Sequence, residues 1–131
     1  MRPCLFKFLL FALLVVSFAG CEEKGLHNSK EEDALEIANL RTEIDKLSEQ
    51  IVCENSVDWK FVAIGDKACG GPLGYVAYST KIDEAMFLKK VALYAQLQKA
   101  FNVKWGVVSD CMFMTPPKSV ECVNGKPKLV Y

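Results

Sequence analysis

Four cysteines, Cys53, Cys69, Cys111 and Cys122, are spread over residues 53–122 of this 131-residue chain. A segment of that length buries a modest core, so any cross-link carries a large share of its stability. Cysteines so placed bind metal or form disulfides. No two of the four stand two to four residues apart, and His27 is the only histidine. That spacing speaks against a zinc site, and neither metal nor cofactor is expected. An even number of widely spaced cysteines instead predicts two disulfides, provided the chain folds in an oxidising compartment.

The N-terminus supplies the compartment. Arg2 and Lys7 precede the apolar run Phe8–Val16, which ends in Ser17-Phe18-Ala19-Gly20-Cys21 before the polar Glu22-Glu23-Lys24. A positive start, about 7–15 apolar residues and a small-residue exit make a secretory signal. The run is short of the roughly 20 residues that span a bilayer. Ala19-Gly20-Cys21 closely resembles the end of the bacterial lipoprotein signal, with Phe18 where leucine is usual. The resemblance implies that residues 1–20 are removed and that Cys21 becomes the lipidated first residue, carrying palmitate among its acyl chains. Several acyl chains hold a protein to a membrane where one does so only marginally. Lipoprotein sorting in enteric bacteria, carried over by the same resemblance, makes Glu22 favour the outer membrane. Which face of it the protein occupies is left open.

Charge is unevenly distributed over what remains. Residues 22–53 hold nine acidic and four basic side chains, whereas residues 54–131 hold seven acidic and ten basic, all lysines. Lysine is a mobile point charge and lacks the rigid fork that arginine offers to phosphates. No nucleic-acid partner is expected.

Residues 21–28 read as a lipidated, polar tether containing Gly25. Residues 29–53 read as an amphipathic helix, capped by Ser29, with Glu31, Glu32 and Asp33 complementing its N-terminal dipole. Ile37, Leu40, Ile44, Leu47 and Ile51 alternate spacings of three and four along it. Such a seam joins two copies as a short coiled coil through residues 35–51, or lies against the domain that follows.

Residues 54–131 read as an α+β domain of order ββαβββ, with a mostly antiparallel sheet and one covering helix. The strands are Trp59–Ile64, Tyr75–Tyr78, Val103–Ser109, Val120–Val123 and Lys128–Tyr131. The covering helix runs from a Thr80 cap, with Asp83 three residues on, to about Phe101 and Asn102. Asn124-Gly125 is a hairpin turn, and Pro127 places the last strand at an edge. Tracing the strands up and down puts Cys53 beside Cys111 and Cys69 beside Cys122. Local pairing, Cys53 with Cys69 and Cys111 with Cys122, is the rival.

Cys69-Gly70-Gly71-Pro72-Leu73-Gly74-Tyr75 is the most unusual stretch and the candidate binding loop. Its glycines free the backbone, Pro72 stiffens the exit, and a bridge at Cys69 would pin it at low entropic cost to a partner. It is too short for a phosphate loop and lacks the following Lys-Ser or Lys-Thr. Asp58-Trp59-Lys60, Cys69-Gly70-Gly71-Pro72, Tyr78-Ser79, Ser109-Asp110-Cys111 and Cys122-Val123-Asn124-Gly125-Lys126-Pro127 resemble a set of small bacterial lipoproteins with no established activity. The resemblance implies a shared fold and no mechanism.

Catalytic machinery is sparse in the sequence. His27 lies in the tether, so no Ser–His or Cys–His pair arises in the domain. Asp58, Asp66, Asp110 and Glu121 have no spacing that brings two carboxylates together for glycoside chemistry. Trp59, Tyr75, Tyr78 and Trp105 read as core aromatics before they read as a glycan platform. The expectation is a lipid-anchored binding or structural module of the cell envelope without catalytic activity, engaging an envelope protein or glycan. An envelope-displayed inhibitor of a lysozyme or protease, acting through Cys69–Tyr75, is the alternative. An enzyme acting on envelope glycans ranks third.

Overall fold

A computed structural model describes residues 28–131. Residues 1–20, Cys21 and the tether up to His27 lie outside the described residues. Helix α1 spans Lys30–Ser48, strands β1 and β2 span Trp59–Ile64 and Gly74–Ser79, and helix α2 spans Glu84–Trp105. Strands β3 (Ser119–Val123) and β4 (Lys126–Val130) complete an α+β fold. The strands form two separate antiparallel pairs, β1 with β2 and β3 with β4.

Helix α1 begins where the sequence places it. Ser29 Oγ accepts from the Glu32 N–H at 3.1 Å, and Glu32 Oε2 accepts from the Ser29 N–H at 2.8 Å. These reciprocal bonds satisfy two of the donors that a helix start leaves free. The helix ends at Ser48, five residues before the expected Cys53. Ile51 leaves the helical path to pack beside Trp59, and the Cys53 N–H donates to Gly125 O at 2.8 Å. Tertiary partners outcompete the last helical turn.

The β1–β2 hairpin is the middle layer. Its register pairs Phe61 with Ala77 and Val62 with Val76, so alternate residues point to opposite faces. Val62, Ile64, Val76 and Tyr78 face the helices, meeting Leu40 and Ile44 of α1 and Phe87, Val91 and Tyr94 of α2. Trp59, Phe61 and Ala77 face the other way, onto Val120, Cys122 and Leu129 of the second hairpin. The helices run antiparallel, with Lys104 against Asp33 at one end and Lys90 against Glu43 farther along. The seam of α1 is thereby spent inside the molecule: Leu40 and Ile44 are buried, and Ile37 and Leu47 pack at the edge of the same cluster.

Three expectations are corrected. Helix α2 starts after Asp83, whose side chain accepts from the Met86 N–H at 2.9 Å, and not after Thr80. It runs past Asn102 to Trp105 and stops at Gly106 in the left-handed conformation. Val103–Ser109 is therefore no strand, and the order is ββαββ. Lys104 and Trp105 gain a shared partner, Asp33 Oδ2, by staying helical, which overrides the strand preference of valine and tryptophan.

The disulfides follow from that correction. Cys53 joins Cys122 and Cys69 joins Cys111, with Cα separations of 5.2 and 5.4 Å. Neither expected set, Cys53–Cys111 with Cys69–Cys122 or Cys53–Cys69 with Cys111–Cys122, is present. The first set needed a third strand to carry Cys111 across the sheet. Without it Cys111 stays at the C-terminal end of α2, beside the loop that bears Cys69. Cys53 is left to Cys122. Proteolysis under non-reducing conditions should release linked peptides containing 53 with 122 and 69 with 111; any other pairing contradicts this topology.

Ile44 is wholly buried between the helices and β2, whereas Leu35 on the same helix is 60% exposed. Ile44→Ala should cost about 2–5 kcal/mol by urea unfolding, and Leu35→Ala less than about 0.5 kcal/mol.

Candidate binding end around the Cys69–Cys111 bridge

The β1–β2 hairpin closes through residues 65–73, which lie at the C-terminal end of α2. Asp66 is held from both sides: its N–H donates to Gln98 Oε1 at 2.9 Å, and its carbonyl accepts from Asn102 Nδ2 at 3.0 Å. Gly65 packs so tightly here that a Cβ would stand 2.5 Å from Gln98 Oε1 and 2.7 Å from Leu73 Cδ1. Within the loop, the Lys67 N–H donates to Gly71 O and the Gly70 N–H to Lys67 O, both at 2.9 Å. Gly70 and Gly71 take φ of 97° and 82°, angles that side-chain-bearing residues rarely adopt.

A strap, residues 107–117, crosses in front of this loop without regular secondary structure. The Cys69–Cys111 bridge fastens it, and the Cys69 N–H donates to Ser109 Oγ at 3.1 Å. Lys67 is the second fastener. Its ammonium is largely buried and donates to Asp110 Oδ1 at 2.9 Å and Met112 O at 2.8 Å. Nothing marked this lysine in the sequence, because its task exists only once residues 43 to 45 positions away are folded against it. Farther along, Tyr75 Oη lies 3.5 Å from Met114 O.

The candidate loop is thus presented as a rigid, solvent-facing arch. Cys69, Gly70, Gly71 and Leu73 are exposed, and Pro72, Gly74 and Tyr75 are half-buried. Beside it a recess of about 270 Å³ is bounded by Asp66, Lys67, Cys69, Gly70, Lys99 and Val103. A larger open cleft of about 500 Å³ lies between the end of α1 and the β4 hairpin, lined by Ser48, Glu49, Val52, Tyr75, Asn124 and Pro127.

The other sequence candidates disperse. Asp58 pairs with Lys81, Asp110 pairs with Lys67, and Glu121 sits opposite Lys128 in the second hairpin. Among the described residues, no three His, Cys, Asp or Glu side chains converge on one point. Trp59 and Tyr78 are buried; the Tyr78 hydroxyl donates to Glu84 Oε1 at 2.9 Å, and burial with that carboxylate pushes its pKa up to about 12. The Trp105 indole donates to Asp33 Oδ2 at 2.9 Å. These aromatics serve packing. The most exposed aromatic among the described residues is Phe113 on the strap, 82% accessible, which no local sequence pattern marks; Tyr131 is exposed as well.

Comparison with protein-family models, with curated proteins and with solved structures finds no match to this chain.

Hydrogen bonding from Lys67, then from the Met112 N–H, together with the lysine's charge, holds the Asp110 carboxyl below its ordinary 3.8. A carboxyl with a lowered folded-state pKa stabilises the fold above the unfolded value, and that contribution is lost as pH falls through the folded value. The strap should therefore loosen in acid. Between about pH 6 and about pH 3, the urea midpoint of the wild type should fall, and that of Asp110→Asn should start lower and fall less. Parallel acid limbs would show that titration of Asp110 contributes nothing to the acid loss of stability.

Proposed function

We propose that the protein is a lipid-anchored binding module of the cell envelope, held to the outer membrane through Cys21. The observation that carries this reading is the apolar run Phe8–Val16 ending in Ala19-Gly20-Cys21, joined to a domain cross-linked by two disulfides. Disulfides of this kind suit an exported domain with a small core. No helix among the described residues is long and apolar enough to cross a membrane. In this reading the domain presents the cleft between α1 and β4 to an envelope partner. The cleft volume falls in the range of ligand sites, and it combines the apolar Val52 and Tyr75 with the polar ends of α1 and the Asn124 turn.

Inhibition of a lysozyme or protease is the second reading. The rigidity of the Cys69–Tyr75 arch favours it, since a pre-organised loop binds at little entropic cost.

Metabolic labelling tests the anchor. The wild type should incorporate palmitate and sediment with membranes, and Cys21→Ala should lose the label. Equal labelling of both proteins overturns the reading.

A further inference from the structure

We propose that the end of the molecule formed by the Cys69 arch and the 107–113 strap rests on the bilayer surface, as a second membrane contact beside the lipid. The inference rests on the lipidation of Cys21, and lipid is the occupant of this apolar end.

Exposed apolar side chains gather here. Val103, Val108, Met112 and Phe113 are 79%, 91%, 68% and 82% accessible, and Leu73 of the arch is 41% accessible. All lie at the C-terminal end of α2 or on elements fastened to it through Asp66, Lys67 and Cys69.

The described chain begins at the same end. Lys104 Nζ donates to Asn28 O at 3.2 Å and to Asp33 Oδ2 at 2.7 Å, so Asn28 lies beside the last turn of α2. Seven residue steps separate Cys21 from Asn28, a reach of at most about 25 Å even when fully extended. The 22-residue helix α2 is itself about 33 Å long. The tether is therefore shorter than the domain it holds, and the Asn28 end is the one kept within about 25 Å of the lipid.

The charges at this end suit a lipid boundary. Lys104 is paired with Asp33 and Lys67 with Asp110, while Lys99 lies at the rim of the recess beside the arch. Lysine stems lie along apolar surface and leave their heads in water. Valine, methionine and phenylalanine side chains can enter the headgroup boundary while the charged heads around them stay in the hydrated headgroup layer. In this orientation the Cys69–Leu73 part of the arch faces the membrane, and the α1–β4 cleft, which Tyr75 also lines, runs from the base of the arch toward the end of α1 and the Asn124 turn.

The test uses the lipidated protein in vesicles of phosphatidylethanolamine and phosphatidylglycerol, treated with chloramine-T and digested for mass spectrometry. Exposure alone makes Met112 oxidise before Met86, which is 42% accessible near the start of α2. Lipid contact should reverse that order. A second measurement compares Phe113→Trp with Val57→Trp, placed at positions of 82% and 83% exposure at opposite ends of the β1–β2 hairpin. Bromines on the acyl chains should remove most of the emission added at 113 and spare that added at 57. Met112 oxidised first, or emission at 113 unquenched, with acyl chains present on the Cys21 peptide, overturns this inference alone. A Cys21 peptide without acyl chains overturns the anchor and this inference together. Shielding at 113 that persists without vesicles and grows with protein concentration assigns the surface to a second copy and overturns lipid as its occupant.

Discussion

The β1–β2 hairpin depends on being covered on both faces. A two-stranded antiparallel pair has little stability alone in water, and its register can slip unless each face is committed. Here Val62, Ile64, Val76 and Tyr78 commit one face to α1 and α2, and Trp59, Phe61 and Ala77 commit the other to the second hairpin. Slipping the register by one residue would turn the first set toward β3 and β4 and the second toward Phe87 and Ile44. Both clusters would be lost together, so a sheet of only two strands holds a single arrangement.

The two disulfides act on the parts this layer cannot reach. Residues 107–117 have no regular hydrogen-bond ladder, and residues 49–55 leave α1 before β1 begins. Cys69–Cys111 fastens the first of these to the arch, and Cys53–Cys122 fastens the second to β3. Their sequence separations are 42 and 69 residues. Either alone would remove about 4 kcal/mol of unfolded-state freedom in the loop-entropy picture. The smaller loop lies inside the larger one, so the joint effect is less than the sum. Lys67 complements the inner bridge by tying Asp110 and Met112 from the opposite side of the cysteine.

This arrangement gives the molecule two surfaces of different chemistry that meet at Tyr75. At one, the arch, the strap, the last turn of α2 and the first residues of α1 meet around the Lys104–Asp33 and Lys67–Asp110 pairs and exposed apolar side chains. At the other, the end of α1 and the Asn124-Gly125 turn border an open cleft of mixed polarity. A module tethered beside the first surface and open at the second is consistent with the proposed place in the envelope. The inhibitor reading asks the arch to point outward, so the two readings disagree about which surface meets solvent.

The sequence by itself determined the local elements whose signals are local. The Ser29 cap, the heptad seam of α1 as far as Leu47, β1 and β2, and the Asn124-Gly125 hairpin with both turn residues at positive φ are where their residues put them. Cysteine number and spacing gave two disulfides and left their pairing open. The tertiary structure alone decided where α2 ends, because Val103-Lys104-Trp105 has strand-forming residues and is kept helical by Asp33, some seventy residues earlier in the chain. That one decision removed a strand, split the sheet into two hairpins and reassigned every cysteine. It also placed Lys67 and Phe113, which no local pattern marks, at the end beside Asn28. Pairings between distant residues depend on which contacts cover the most surface at once, and that quantity exists only in the folded chain.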